Sequence, residues 1–144
     1  MTDSKDDRGE LHPVPATRIP AFNKMLGMDR VRAGKGKAEI DLDVRQELTN
    51  QRGVVHGGVI ASLLDSALGA AIIAAIRPEE WCGTIQLNVQ FLLPGRGARL
   101  LGRGRMVRRG DRVAFAEGEV IDDSGRRIAS AEGTWYIWPT RPRP

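Results

Sequence analysis

Residues 57–76 constrain what this chain can fold into more than any other stretch. The run Gly57-Gly-Val-Ile-Ala-Ser-Leu-Leu-Asp65-Ser-Ala-Leu-Gly-Ala-Ala-Ile-Ile-Ala-Ala-Ile76 is apolar on nearly every side, and Arg77-Pro78 ends it. A helix of this character belongs inside a protein. The run approaches the length of a membrane span, but Ser62, Asp65, Ser66 and Gly69 interrupt it and no second such segment exists. A charge near a bilayer centre costs several kcal/mol (~3). The reading is therefore a helix buried in a soluble domain.

The rest of the chain supplies what must bury it. Ala38, Ile40, Leu42 and Val44 alternate with Lys37, Glu39, Asp41 and Asp43, the period of a strand with one buried face. Upstream, Ala21–Gly27 reads as a short helix, with proline near its start and glycine at its end. Residues 45–55 form a polar connection into the long helix. After the helix, Ile85, Leu87, Val89 and Phe91 alternate with Thr84, Gln86, Asn88 and Gln90. Turns follow at Pro94-Gly95, Arg109-Gly110-Asp111 and Asp122-Asp-Ser-Gly125, and a last strand runs from Arg127 to about Trp138. One strand, one long helix and four strands joined by short turns imply an α+β fold, with a curved antiparallel sheet wrapped around one long central helix. Ala114, Ala116 and Gly118 share one face of a strand, as do Ala129, Ala131 and Gly133 of the next; both faces are expected to let the helix approach closely. One sheet around one helix leaves an edge strand and the outer side of the helix uncovered, so dimerisation is expected.

A chain of 144 residues fits a single domain. The domain is expected over residues 20–138, with residues 1–19 and the proline-rich tail 139–144 disordered. Cys82 is the only cysteine and His12 and His56 the only histidines, so neither a disulfide nor a metal site is expected. The opening Met-Thr-Asp-Ser-Lys-Asp-Asp lacks the features of a signal peptide, which makes the cytoplasm the expected location. The net charge of +4 comes mostly from arginines, including Arg96, Arg99, Arg103, Arg105, Arg108, Arg109 and Arg112. These read as solvated strand faces, or else as contacts for a phosphate-bearing ligand. Nucleic acid is not expected, since no recognition motif and little aromatic interleaving accompany them.

The helix start carries the chemistry. Gly57 and Gly58 have no side chain to block approach to free N–H groups at the positive end of a helix. They can hold an oxyanion, or serve only close helix–sheet contact. Asp65 is a lone acid in an apolar run, either a buried structural hydrogen-bonder or a base or nucleophile. It lies eight positions beyond Gly57, roughly 12 Å along the axis. For both to act on one carbonyl, Asp65 must come from a partner subunit. His56 can bond the loop or face the site, Asn50 can bond the loop or orient a water, and Thr84 offers a hydroxyl or is an ordinary strand residue.

The ordered set Asn50, His56-Gly57-Gly58, Asp65 and Ala67 resembles the signature of hotdog-fold acyl-CoA thioesterases, specifically the phenylacetate-degradation (PaaI-like) subgroup, over about Pro20 to Trp138. The resemblance implies a hotdog homodimer, often paired into a homotetramer, with active sites at the dimer interface. It implies hydrolysis of an acyl-CoA to a carboxylic acid and free CoA, with no cofactor beyond the coenzyme A of the substrate. By match of motif, the Gly57 N–H would polarise the thioester carbonyl and Asp65 of the other subunit would activate water or attack directly. Asn50 and His56 would shape the site, and Thr84 would position the water. Gly58 and Leu64 would meet substrate, and Arg108, Arg109 and Arg126 would receive the CoA nucleotide. Neither a membrane nor a nucleic-acid partner is implied. A non-catalytic acyl-CoA-binding or sensing protein on the same scaffold is the alternative, for which Asp65 would have no use. Hotdog hydratases join a His to an acid in a different motif. Aromatic and medium-chain acyl groups both fit the sequence.

Overall fold

The computed structural model describes residues 11–144. Its frame is one antiparallel sheet of seven strands: β1 (His12–Pro13), β2 (Arg30–Gly34), β3 (Lys37–Asp43), β4 (Trp81–Phe91), β5 (Arg99–Arg109), β6 (Val113–Asp122) and β7 (Arg127–Trp138). Their spatial order is β1-β2-β3-β5-β6-β7-β4. A short helix α1 (Ala21–Leu26) precedes β2, and the long helix α2 (Gly57–Ile73) lies between β3 and β4 in sequence. The chain leaves β3, passes through α2, and returns as β4 at the far edge beside β7, so the curved sheet closes over the helix. α2 touches β2 through β7. The expected α+β architecture of a central helix in an antiparallel wrap is what the chain adopts. Among the described residues no helix is long and apolar enough to cross a membrane.

Three glycines set how closely the wrap can close. A Cβ on Gly104 of β5 would lie 2.5 Å from the Ala67 carbonyl oxygen, and one on Gly102 would lie 2.8 Å from Leu63 Cγ. On β6, a Cβ on Gly118 would lie 2.6 Å from Leu68 Cδ1. The expected small-residue faces hold except at one position: Ala114, Ala116, Ala129 and Ala131 join Leu63, Leu64, Leu68, Ile72 and Trp135 in one buried cluster, whereas Gly133 makes room for the Trp135 ring and the Gln86 carbonyl rather than for the helix. Gly102 and Gly104, which belong to the arginine-rich stretch, are the contribution the sequence reading overlooked.

Three elements differ from expectation. Residues 11–19 are structured: β1 pairs with Arg32 and Ala33, the Val14 N–H reaches the Val31 carbonyl at 2.8 Å, and Ile19 is buried. The remainder of the expected disordered segment, residues 1–10, lies outside the described residues. β2 was not anticipated; it pairs with β3 across the two-residue turn Lys35-Gly36, both at positive φ, and buries Val31. Regular helix ends at Ile73 rather than Ile76, and residues 74–76 tighten into a turn ahead of Arg77-Pro78. The tail 139–144 carries neither helix nor strand, and the Arg141 guanidinium lies 4.9 Å from the Trp81 ring centroid.

The outer sheet face carries a set of paired arginines. Arg32, Glu39, Arg103 and Glu119 stand side by side across β2, β3, β5 and β6. Arg32 and Glu39 are 2.6 Å apart, and Arg103 lies 3.8 Å from both Glu39 and Glu119. Arg105 pairs with Glu117 in the next row. Opposite charges facing each other across strands stabilise a sheet modestly and keep its outer face soluble.

Candidate active site at the start of the long helix

Each residue of the His-Gly-Gly turn has a separate task. His56, in extended backbone, is the N-cap of α2: its Nδ1 accepts the Gly58 N–H at 2.8 Å. Its carbonyl accepts the N–H groups of Val59 (2.9 Å) and Ile60 (3.3 Å). A Cβ on Gly58 would sit 3.0 Å from that Nδ1, so glycine there makes room for the cap. Two of the free donors at the helix start, the N–H groups of Gly58 and Val59, are thereby occupied, and the Ile60 bond is the first regular turn of the helix. The Gly57 N–H takes no hydrogen bond among the described residues. The Phe91 ring, at the end of β4, stands 3.4 Å from where a Gly57 Cβ would be. An unspent N–H beside an exposed aromatic ring is the donor an acyl oxyanion needs.

Asn50 holds the loop that presents this turn. Its Oδ1 accepts the N–H groups of Arg52 (2.9 Å) and Val54 (3.4 Å), and its own N–H reaches the Val54 carbonyl at 2.8 Å. Of the two roles open to it, the structure places it in the loop. The His56 N–H then bonds the Leu48 carbonyl (2.8 Å), and the Val55 N–H bonds the Gly95 carbonyl (2.9 Å).

Asp65 lies two turns further along α2 and is half-buried. The Thr84 hydroxyl of the same chain donates to its Oδ1 at 2.8 Å. Thr84 thus holds the carboxylate itself, and Oδ2 has no partner among the described residues. A register shift between Thr84 and Gln86 makes this possible. Cys82 and Thr84 face the helix before the bulge, Ile85 is left exposed at it, and Leu87 and Val89 face the core after it. Burial, and then the nearby Asp65 charge, push the Cys82 thiol up to about 11. It therefore stays protonated and is no competing nucleophile at neutral pH.

The buried side of α2 consists of Val59, Ile60, Leu63, Leu64, Ala67, Leu68, Ala71 and Ile72. Ser62, Asp65, Ser66, Gly69 and Ile73 recur at helical spacing on the other side and keep some or much of their surface open. The helix is therefore apolar all round in composition but carries one stripe that its own chain leaves uncovered. Ser62 donates to the Gly58 carbonyl at 2.8 Å, and Ser66 meets Asn23 of α1 at 3.4 Å.

Three of the residues expected to bind substrate are engaged elsewhere within the protomer. Leu64 is fully buried in the protomer's core and presents no surface to a ligand. Arg109 is committed to Glu80 through two hydrogen bonds of 2.7 and 2.5 Å. That guanidinium, with the Arg77 backbone N–H, holds the Glu80 carboxyl down to about 2. Arg126 Nε bonds Asp122 Oδ2 at 3.0 Å within the β6–β7 turn. Arg108 has no ion pair among the described residues and stands opposite Phe115 on β5.

Comparison with known proteins identifies the family. The profile of the thioesterase superfamily matches residues 52–129. The medium/long-chain acyl-CoA thioesterase YigI of Escherichia coli K12 is 33% identical over 131 residues, covering 81% of this chain and 84% of its own. The conserved protein PA5202 of Pseudomonas aeruginosa superposes with a TM-score of 0.82 at 26% identity, covering 88% of this chain and 100% of its own. A phenylacetic acid degradation-related protein of Ralstonia eutropha JMP134 gives a TM-score of 0.76 at 32% identity, covering 85% and 92%. This chain belongs to the thioesterase superfamily, with the hotdog fold and the character of its phenylacetate-degradation subgroup, and is a thioester hydrolase.

Proposed function

We propose that the protein hydrolyses acyl-CoA thioesters to a carboxylic acid and CoA, as a homodimer in which Asp65 of one subunit and the Gly57 N–H of the other act on the same carbonyl. One observation carries this reading: the two halves of the chemistry sit at opposite ends of one edge strand. Gly57 lies against Phe91, and Asp65 is bonded to Thr84. β4 has a neighbour, β7, on one side only and leaves an eleven-residue edge open. Antiparallel addition of a second β4 closes that edge. With Thr84 opposite Phe91 of the partner subunit, the two-fold axis falls between Leu87 and Asn88, and each Asp65 end meets the other subunit's Gly57 end.

The residues then divide the work. Asp65 takes a proton from water, and the hydroxide attacks the thioester carbon. The Gly57 N–H meets the oxyanion that forms, the C–S bond breaks, and the CoA thiolate recovers the proton from Asp65. Direct attack by Asp65 would pass through an acyl-aspartate anhydride that water opens. A single turnover in ¹⁸O-water separates the routes, since cleavage at the aspartyl carbonyl leaves label in Asp65. The acyl class belongs to the same proposal: aromatic or medium-chain groups, against the exposed Phe22, Met25, Ile73 and Ile85. The deciding experiment is Asp65→Asn, assayed by thiol release across aryl- and alkanoyl-CoAs. Hydrolysis is expected to vanish while the dimer persists; an unchanged kcat would overturn the assignment, and tight binding without turnover by the unmodified protein would favour a sensor.

A further inference from the structure

We infer that Arg52 and Arg96 receive the phosphate groups at the nucleotide end of the thioester substrate, an inference that rests on the proposed acyl-CoA specificity. Most arginines of the strands, and Arg126 of the β6–β7 turn, are already matched. Arg30, Arg32, Arg99, Arg103, Arg105, Arg109 and Arg126 each have an Asp or Glu partner. Arg52 and Arg96 are exposed and have none among the described residues. Both belong to the two loops that frame the Gly57 turn.

Those loops are rigid and joined. In the first, the Arg52 backbone N–H is fixed to Asn50 Oδ1 at 2.9 Å and Gly53 turns at φ +72. In the second, the Gly95 carbonyl takes the Val55 N–H at 2.9 Å. A Cβ on buried Gly95 would come 3.2 Å from Val55 and 3.3 Å from Ile60 and Ile128, so Arg96 is held beside the helix start. Asp123 Oδ2 then fixes the N–H groups of Ala98 (2.8 Å) and Arg99 (3.3 Å). Each turn spends its own polar groups on holding its shape and leaves a guanidinium over. Guanidinium geometry suits phosphate oxygens, and a preorganised backbone lowers the entropy lost on binding. The substrate's phosphates are separated from its thioester by the pantetheine arm, so their site must lie outside the entrance. Arg108, on β5, also has no ion pair among the described residues and serves as the comparison.

The test compares Arg52→Ala, Arg96→Ala and the double variant with Arg108→Ala. Binding of CoA and of pantetheine, which lacks the nucleotide phosphates, is measured by calorimetry. KM and kcat are measured with octanoyl-CoA and octanoyl-N-acetylcysteamine. The double variant is expected to weaken CoA binding and raise KM for octanoyl-CoA about tenfold, as two exposed charge contacts allow. Its kcat, its pantetheine binding and its KM for the phosphate-free thioester stay unchanged. CoA affinity unaltered in the double variant, an equal loss for pantetheine, or a larger effect from Arg108→Ala would each overturn the inference. An unmodified protein that binds CoA but turns over neither thioester would refute the proposed function, while the binding arm would still judge the two arginines.

Discussion

Gly57→Pro isolates the one backbone group on which the proposed chemistry depends. Gly57 is the first helical residue, where proline is favoured because its missing N–H has no helical partner. The preceding residue, His56, has φ −58 and ψ 135, the extended conformation proline requires before it. Neither the His56–Gly58 cap nor the carbonyl bonds to Val59 and Ile60 involve the replaced nitrogen. The substitution therefore deletes a donor without removing the cap or carbonyl bonds of the helix start, and the added Cβ meets only Phe91, a side chain at the surface. Loss of one oxyanion donor costs about 10²–10³ in kcat, or ~2.7–4 kcal/mol of transition-state stabilisation. Stopped-flow and steady-state thiol release should show that fall in kcat, with thermal midpoint and dimer mass little changed. Retention of full kcat by a folded Gly57→Pro dimer would refute the assignment of this N–H to the oxyanion.

Two further predictions concern what holds the site in place. Gly104→Val should destabilise the domain by about 1–3 kcal/mol or more, because the new Cβ would meet the Ala67 backbone, which cannot rotate aside; chemical denaturation would show it, and an unchanged midpoint would mean that the helix stands further from β5. Glu80 titrates from 4.5 down to about 2 in the folded chain. A depressed carboxyl contributes stability that is present above its unfolded value and is lost as pH falls between those two points. Thermal melts across that window should therefore fall more steeply for the native protein than for Glu80→Gln, and parallel curves would show that the Glu80–Arg109 pair contributes nothing.

How far the sequence carried this account depended on the range of the cause. The α2 start, the outward-alternating strands and the glycine-bearing turns were readable because each follows from residues within a few positions: Pro20 and Gly27 bracket α1, and Gly125 marks the β6–β7 turn. β2 was passed over because its signal is short, a single buried Val31 between Arg30 and Arg32. Register decides the rest. That Gly102 and Gly104 face Leu63 and Ala67 follows from how β5 lies across α2, which no local pattern reports. The same holds for the arginines: no local pattern pairs Arg109 with Glu80, 29 positions away in sequence, or shows that Asp122 turns onto Arg126. Thr84 was expected near the chemistry, yet its bond to Asp65 depends on the bulge beside Ile85, which breaks the alternation that marked the strand. Leu64 was expected at the ligand, but it turns into the core, since neighbours on a helix face different ways.

Subunit complementation tests the central claim, a reaction centre shared between two chains. Gly57→Pro and Asp65→Asn proteins, each inactive alone, would be unfolded together, refolded at equal concentration and assayed. In the mixed dimer one site carries both lesions and the other carries neither. Random association should then restore about a quarter of native specific activity, since about half the dimers are mixed and each holds one intact site of two. No recovery from a refolded, dimeric mixture would show that Gly57 and Asp65 serve the same carbonyl from within one chain or not at all.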